Sequence, residues 1–228
     1  MSEQAQLLRR PRGRPPLSEA AVGQVRSRLL RATRTVFARV GYHGLTVELV
    51  IAEAGVSRPT FYKYFSSMEA AVERLVAEVN QDIIDRLMAA LATSPDLMTK
   101  IEAGILAWKQ WGEDLGEFLG PFYTELHDRQ SPVGRQRQLT LGLLEARIAE
   151  VVVLLGRAAP SPLRVKAFIH GVEFLGYHYH LNTPRDAQSW AETRDAIFRM
   201  AIGLLGDAAD WGNALALARD FQIGLDPT

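Results

Sequence analysis

Helical periodicity constrains this chain more than any other feature. From residue 18 onward, apolar side chains return every three or four positions in segment after segment, and the residues between segments are those that stop and start helices. No stretch alternates convincingly as a half-buried strand would. Residues 18–40 place Val22, Val25, Leu29, Ala32, Val36 and Val40 on one stripe and arginines on the other face, with Gly41 just beyond. Short helices over 46–54 and 57–64 follow, joined by Gly55 and Val56. Ser67 caps a long helix to about residue 92, and Ser94-Pro95 opens a fifth that ends near Trp111 and Gly112. Further helices are expected over 115–128, 132–157, 162–181, 184–206 and 211–221. The expected fold class is all-α, a three-helix N-terminal unit followed by a larger helical domain.

Composition narrows what such a chain does. With no cysteine there is no disulfide framework, thiolate metal site, iron–sulfur cluster or cysteine nucleophile. The apolar run at residues 151–155, like every other in the sequence, is far too short to span a membrane, and the N-terminus lacks the apolar core of a signal peptide, so a cytoplasmic protein is expected. The 26 basic and 26 acidic residues cancel, but unevenly. Residues 1–66 hold 11 Lys/Arg and 4 Asp/Glu, a net +7, which leaves −7 for residues 67–228. A basic front suggests a polyanionic partner for that part alone, against the plainer reading of a solvated charged face. Residues 1–17, with Arg9-Arg10-Pro11-Arg12-Gly13-Arg14-Pro15-Pro16, read as a flexible basic arm. Residues 18–66 read as the first domain and 67–228 as the second.

The helices over 46–54 and 57–64 have the spacing of a helix-turn-helix, in which the second helix is offered to the DNA major groove. Gly55 permits the reversal, Val56 fills the corner and Ser57 caps the second helix. That helix opens with Arg58, Pro59, Thr60, Tyr62, Lys63 and Tyr64, a mixture of cation, hydroxyl and aromatic edge suited to phosphates and bases. A purely structural helical corner uses the same glycine.

Residues 29–69 resemble the DNA-binding domain of the TetR family of bacterial transcriptional regulators. Leu29-Leu30, Ala32, Phe37 and Gly41-Tyr42 resemble the family's first helix and its end. Thr46-Val47, Ala54-Gly55-Val56-Ser57, Thr60-Phe61-Tyr62, Tyr64-Phe65 and Glu69 resemble the motif and the opening of helix four. The resemblance implies that Thr46 touches phosphate, that Tyr62 and Tyr64 contact the DNA backbone, and that Arg58, Thr60 and Lys63 face bases or nearby phosphates. Phe61 and Phe65 then belong to the core. Two residues depart from the family pattern. Met68 stands where a phosphate-holding lysine is usual, and Ile51 where a small alanine faces the recognition helix. The arm offers a substitute contact, because Pro11-Arg12-Gly13-Arg14-Pro15 resembles an AT-hook core whose Arg12 and Arg14 suit a narrow minor groove. A solvated basic tail is the alternative.

The back half is expected to bind a ligand and to dimerise. Phe168, Val172, Leu175 and Tyr179 form one stripe over 162–181, and Phe174, Tyr177 and Leu181 another. A helix apolar on more than one face is buried on both sides, so helices near 162–181 and 186–205 are expected to form a homodimer interface, as the resemblance also implies. Trp108, Trp111, Phe122, Tyr123, His127, Phe174, Tyr177 and His178 are the candidates for a cavity that takes a small apolar or aromatic effector. Gly104, Gly112, Gly116 and Gly120 soften helices five and six, or mark their ends. His170, His178 and His180 lack the spacing of metal ligands on one helix, so neither metal nor cofactor is expected. No nucleophile elbow or phosphate loop argues for an enzyme. The expected function is a ligand-responsive repressor of a palindromic operator. A DNA-binding dimer without an effector, and a helical enzyme with a nucleic-acid-binding front, are the competing readings.

Overall fold

The computed structural model describes residues 19–93 and 96–206, side chains being described for 23–92 and 96–206, and among these every regular element is helical. The helices are α1 (Glu19–Val40), α2 (Val47–Ala54), α3 (Arg58–Tyr64), α4 (Met68–Thr93), α5 (Leu97–Leu115), α6 (Leu119–Glu125), α7 (Pro132–Leu154), α8 (Pro162–Asn182) and α9 (Ala187–Leu205). The basic arm, with Arg12 and Arg14, and the helix expected over 211–221 lie outside the described residues. None of the described helices is long and apolar enough to cross a membrane.

Local chemistry sets most boundaries. Thr46, Ser57, Ser67, Asp96, Ser131, Ser161 and Asp186 each accept a hydrogen bond from a first-turn amide, so seven of the described helices begin on a polar side-chain cap. Four boundaries differ from the sequence reading. Asp96 is the cap of α5, in place of Ser94-Pro95. Helix α5 runs through Gly112 to Leu115, because Gly112 serves packing: a Cβ there would lie 2.2 Å from His180 Nε2. The expected helix over 115–128 divides into a 3₁₀ turn (Gly116–Phe118) and α6, after Gly116 leaves the helix at φ 55°. Finally, α9 starts after Asp186 and not at Pro184, since Arg185 adopts φ 55° and breaks the path.

The packing does not stop at the expected domain border after residue 66. One buried cluster runs from Leu29, Val36 and Phe37 of α1 through Val50, Phe61 and Phe65. It continues along α4 by Val72, Val76 and Val79 to Trp111, Phe118, Phe122 and Tyr177. Contiguous burial on this scale holds the front three helices against α4 and the α5–α6 corner. Polar ties reinforce the junction. Arg34 of α1 donates to the carbonyls of Asp114 (2.7 Å) and Leu115 (3.0 Å), a cation at the C-terminal end of α5 where the helix dipole favours it. Arg135 of α7 pairs with Glu69 and, at 2.9 Å, with Glu73 of α4.

Candidate functional site

The front site is built on the α2–α3 corner. Gly55 has φ 61° and ψ 42°, and its amide bonds Ala52 O while that of Val56 bonds Ile51 O, the two closures of a Schellman motif. The turn therefore points α3 away from α2 at a fixed angle. Val50 and Phe61 are fully buried and hold the two helices to α1. Ile51 is half-buried against the same core, and so is Met68 at the start of α4.

The opposite side of α3 faces solvent. Arg58, Pro59, Tyr62 and Lys63 are exposed, and Thr60 is half-buried. The Thr46 and Ser57 hydroxyls serve as caps, accepting from Leu49 N at 3.3 Å and Thr60 N at 3.4 Å, and both residues remain exposed. Arg58 forms an ion pair with Glu48 of α2 and lies 5.7 Å from the Tyr62 ring centre. Lys63 Nζ sits 5.9 Å from the Tyr64 ring. Tyr64 itself packs on the core, with its hydroxyl enclosed and without a hydrogen-bond partner, so only part of its ring edge is offered outward. Glu48 is a member of this surface that the sequence did not single out. It lies on the preceding helix, and nothing in its local pattern marks it as the partner of Arg58.

A second site lies in the body, a cavity of about 200 Å³ walled by α4 to α9. That is far above the roughly 10–15 Å³ that admits a single water. Most of its wall is aliphatic and aromatic: Ile83 and Leu87 from α4, Trp108 from α5, Leu144 and Ile148 from α7, Phe168 and Val172 from α8. Polar groups gather at one region. Arg137 grips Glu173 with both its Nε (2.9 Å) and a terminal nitrogen, and reaches His170 Nδ1 at 3.3 Å. That hydrogen-bonded carboxylate raises the Arg137 pKa against the opposing effect of burial. The Tyr177 hydroxyl is pushed well above the usual tyrosine range, first by burial and then by Glu173. Asn80, also in the wall, has its amide nitrogen buried with no hydrogen-bond partner.

Of the eight residues expected at a cavity, Trp108, Trp111, Phe122 and Tyr177 line it. Tyr123 stands behind the wall, stacked on Tyr177 at 4.1 Å. His127, Phe174 and His178 face outward, with Phe174 61% exposed. The misplacement has a simple cause: successive aromatics on α8 share a periodicity, but only the phase toward α5 and α7 meets the cavity. Asn80, Arg137 and Glu173 were missed. Asn80 did carry a signal, as a lone amide on the apolar stripe Val76, Val79 and Ile83. The Arg137–Glu173 pair joins two helices and has none.

Within α8, Leu163, Ala167, His170, Phe174, His178 and Leu181 form a continuous exposed stripe. The outward residues of α9, among them Gln188, Glu192 and Arg199, are largely polar. His180 turns inward on α8, both ring nitrogens buried without a partner, and burial lowers its pKa to about 4.

A cation-bearing helix-turn-helix and a ligand-sized apolar cavity thus share one buried core, the arrangement of a helical protein with a DNA-binding motif at its front. Residues 29–75 match the family described as bacterial regulatory proteins, tetR family. The HTH-type transcriptional regulator YdgC of Bacillus subtilis (strain 168) is 34% identical over 58 residues, 25% of this chain and 30% of that relative's own length. A TetR-family transcriptional regulator from Streptomyces coelicolor superposes with a TM-score of 0.67 at 17% identity, over 81% of this chain and 97% of that one. The transcriptional regulator FadR from Bacillus subtilis, in complex with stearoyl-CoA, superposes with a TM-score of 0.64 at 16% identity, over 79% and 98%. The two structural likenesses establish the fold. The family match is carried by residues 29–75, and the rest of the described chain shares the fold of those two structures.

Proposed function

We propose that the protein is a homodimeric, ligand-responsive DNA-binding transcriptional regulator, a repressor that a small hydrophobic molecule releases from a palindromic operator in double-stranded DNA. The observation that carries the reading is that one helix serves both sites. Helix α4 follows directly on α3, and its Asn80, Ile83 and Leu87 line the cavity. A ligand that displaces α4 relative to α5 or α7 also acts on the ties at Arg34 and Arg135, and so on the attitude of α3. Releasing DNA tenfold requires the ligand to discriminate between two states by about 1.4 kcal/mol, within the ~1–3 kcal/mol typical of such couplings. No catalytic step is needed.

The cavity wall favours an apolar body bearing one hydrogen-bond acceptor, which Asn80 would receive. Arg137 already has its charge balanced by Glu173, so it argues against a ligand that needs a free cation. The B. subtilis FadR structure contains stearoyl-CoA, which makes long-chain acyl compounds the first probes. Trp108 and Trp111 in the wall supply the readout, through quenching of intrinsic fluorescence. The exposed α8 stripe around Phe174, together with Leu139 and Leu143 of α7, is the proposed two-fold face. Phe174→Asp is expected to yield monomers in sedimentation.

The deciding experiment is selection of DNA fragments by the purified protein, followed by a salt titration on the best one. The expected result is a palindrome bound by dimers, with affinity falling steeply in salt and lost in Arg58→Ala and Lys63→Ala variants that remain dimeric. Failure to enrich any fragment, or undiminished binding by both variants, overturns the reading.

A further inference from the structure

Head and body meet at a second cluster of chemically distinctive groups. His43, in the turn after α1, approaches the end of α6, where Glu125 is the last residue and Asp128 follows. His43 Nε2 lies 3.6 Å from a Glu125 carboxylate oxygen, and one donor atom from each of the three residues falls within 4.8 Å of the others. Glu125 is 7% exposed, and its Oε2 is buried without a hydrogen-bond partner. A carboxylate so placed lacks the donors that buried anions normally collect. Among the described residues, no cation supplies them to Glu125 Oε2 at hydrogen-bond distance. Arg135 is engaged by Glu69 and Glu73, and His43 stands beyond hydrogen-bond range.

The spacing suits a metal ion. Two ligands each about 2.0–2.2 Å from a tetrahedral ion lie roughly 3.4 Å apart. The His43–Glu125 separation of 3.6 Å already matches, and the His43 side chain, 77% exposed, is free to turn. Asp128 uses Oδ1 to hold the Gln130 amide at 2.8 Å, which orients its carboxylate as hydrogen-bonded ligands are usually oriented.

We propose that His43, Glu125 and Asp128 form a site for a divalent transition-metal ion, with zinc the best match and at least one coordination position left to water. One imidazole nitrogen with two carboxylate oxygens is a borderline donor set, which selects zinc or its first-row neighbours over the harder magnesium. The ion ties the turn that precedes Thr46 and α2 to the end of α6, whose Phe122 lines the cavity. Bound metal therefore holds the head against the body and biases the angle at which α3 is presented. That last consequence rests on the regulatory reading above, whereas metal binding itself does not.

The test is a calorimetric titration of zinc chloride into the untagged, chelator-treated full-length protein, repeated with His43→Ala, Asp128→Asn and Glu125→Gln. The expected result is one zinc per chain, unaffected by excess magnesium and weakened at least about tenfold in each variant. Exposed His43 tolerates replacement, so its variant remains informative if Glu125→Gln unfolds. Absence of stoichiometric zinc, or equal affinity in His43→Ala, overturns the site. DNA retention with and without zinc then tests the coupling, and equal retention overturns it. A protein that binds zinc as stated yet retains no DNA fragment indicts the regulatory reading alone.

Discussion

Replacing Asn80 by leucine separates stability from ligand recognition, because it moves the two in opposite directions. The Asn80 amide nitrogen is buried at the cavity wall with no partner, and a buried unmet donor costs about 1–3 kcal/mol. Leucine removes that group, and the adjoining cavity of about 200 Å³ accommodates the extra bulk without overpacking. The expected gain in the ligand-free protein is about 1–2 kcal/mol. For a chain of this size, that raises the melting temperature by roughly 2–8 °C. An effector whose acceptor pairs with Asn80 loses a hydrogen bond in the same variant and is expected to bind about tenfold more weakly. Thermal and urea unfolding, at one fixed protomer concentration, measure the first effect, since dimerisation makes the midpoint concentration-dependent. Tryptophan quenching measures the second. A fall in stability of 1 kcal/mol or more would show that the amide is satisfied in the folded protein and would refute both halves of the argument.

Glu48→Gln frees Arg58 from its ion pair, and because both partners are more than half exposed the gain in DNA affinity is at most about fivefold, with a steeper salt slope in a fluorescence-anisotropy titration. Gly176→Val places a Cβ about where Trp108 lies, 2.0 Å from its ring, and is expected to destabilise by about 1–3 kcal/mol in urea unfolding while altering Trp108 emission. His180 titrates near 4 when folded and near 6.5 when unfolded, so above pH 6.5 it has no effect on stability. As pH falls from 6.5 to 4 the unfolded chain takes the proton first, stability declines, and His180→Leu flattens that decline in pH-dependent melting curves.

The elements of the fold were largely legible because helix formation is a local matter. The stripe Leu29, Ala32, Val36, the cap Ser57 and the stop at Gly55 each act within a turn or two, and all three stand where the spacing put them. Boundaries that slipped did so where a distant residue intervened. Gly112 looked like a helix end, yet it remains inside α5 because His180 of α8 occupies the space where its Cβ would be. The cavity was half-legible for the same reason: Trp108 and Tyr177 are inward on helices whose period was plain, but the sequence did not say which face of α8 was inward, and Phe174 and His178 were placed on the wrong one.

What the sequence by itself determined was the all-helical class, the helix-turn-helix with its caps and left-handed turn, the basic front and the outward cations of α3. Each depends on residues a few positions apart, where backbone geometry alone decides which side chains are neighbours. The tertiary structure decided which groups meet across helices: Arg58 on Glu48, Arg137 on Glu173, Asn80 left facing a cavity, and His43 brought to Glu125 and Asp128. Those meetings depend on how whole helices rotate and cross when they bury their stripes together. That is settled by the packing of the entire core, and no local pattern records it.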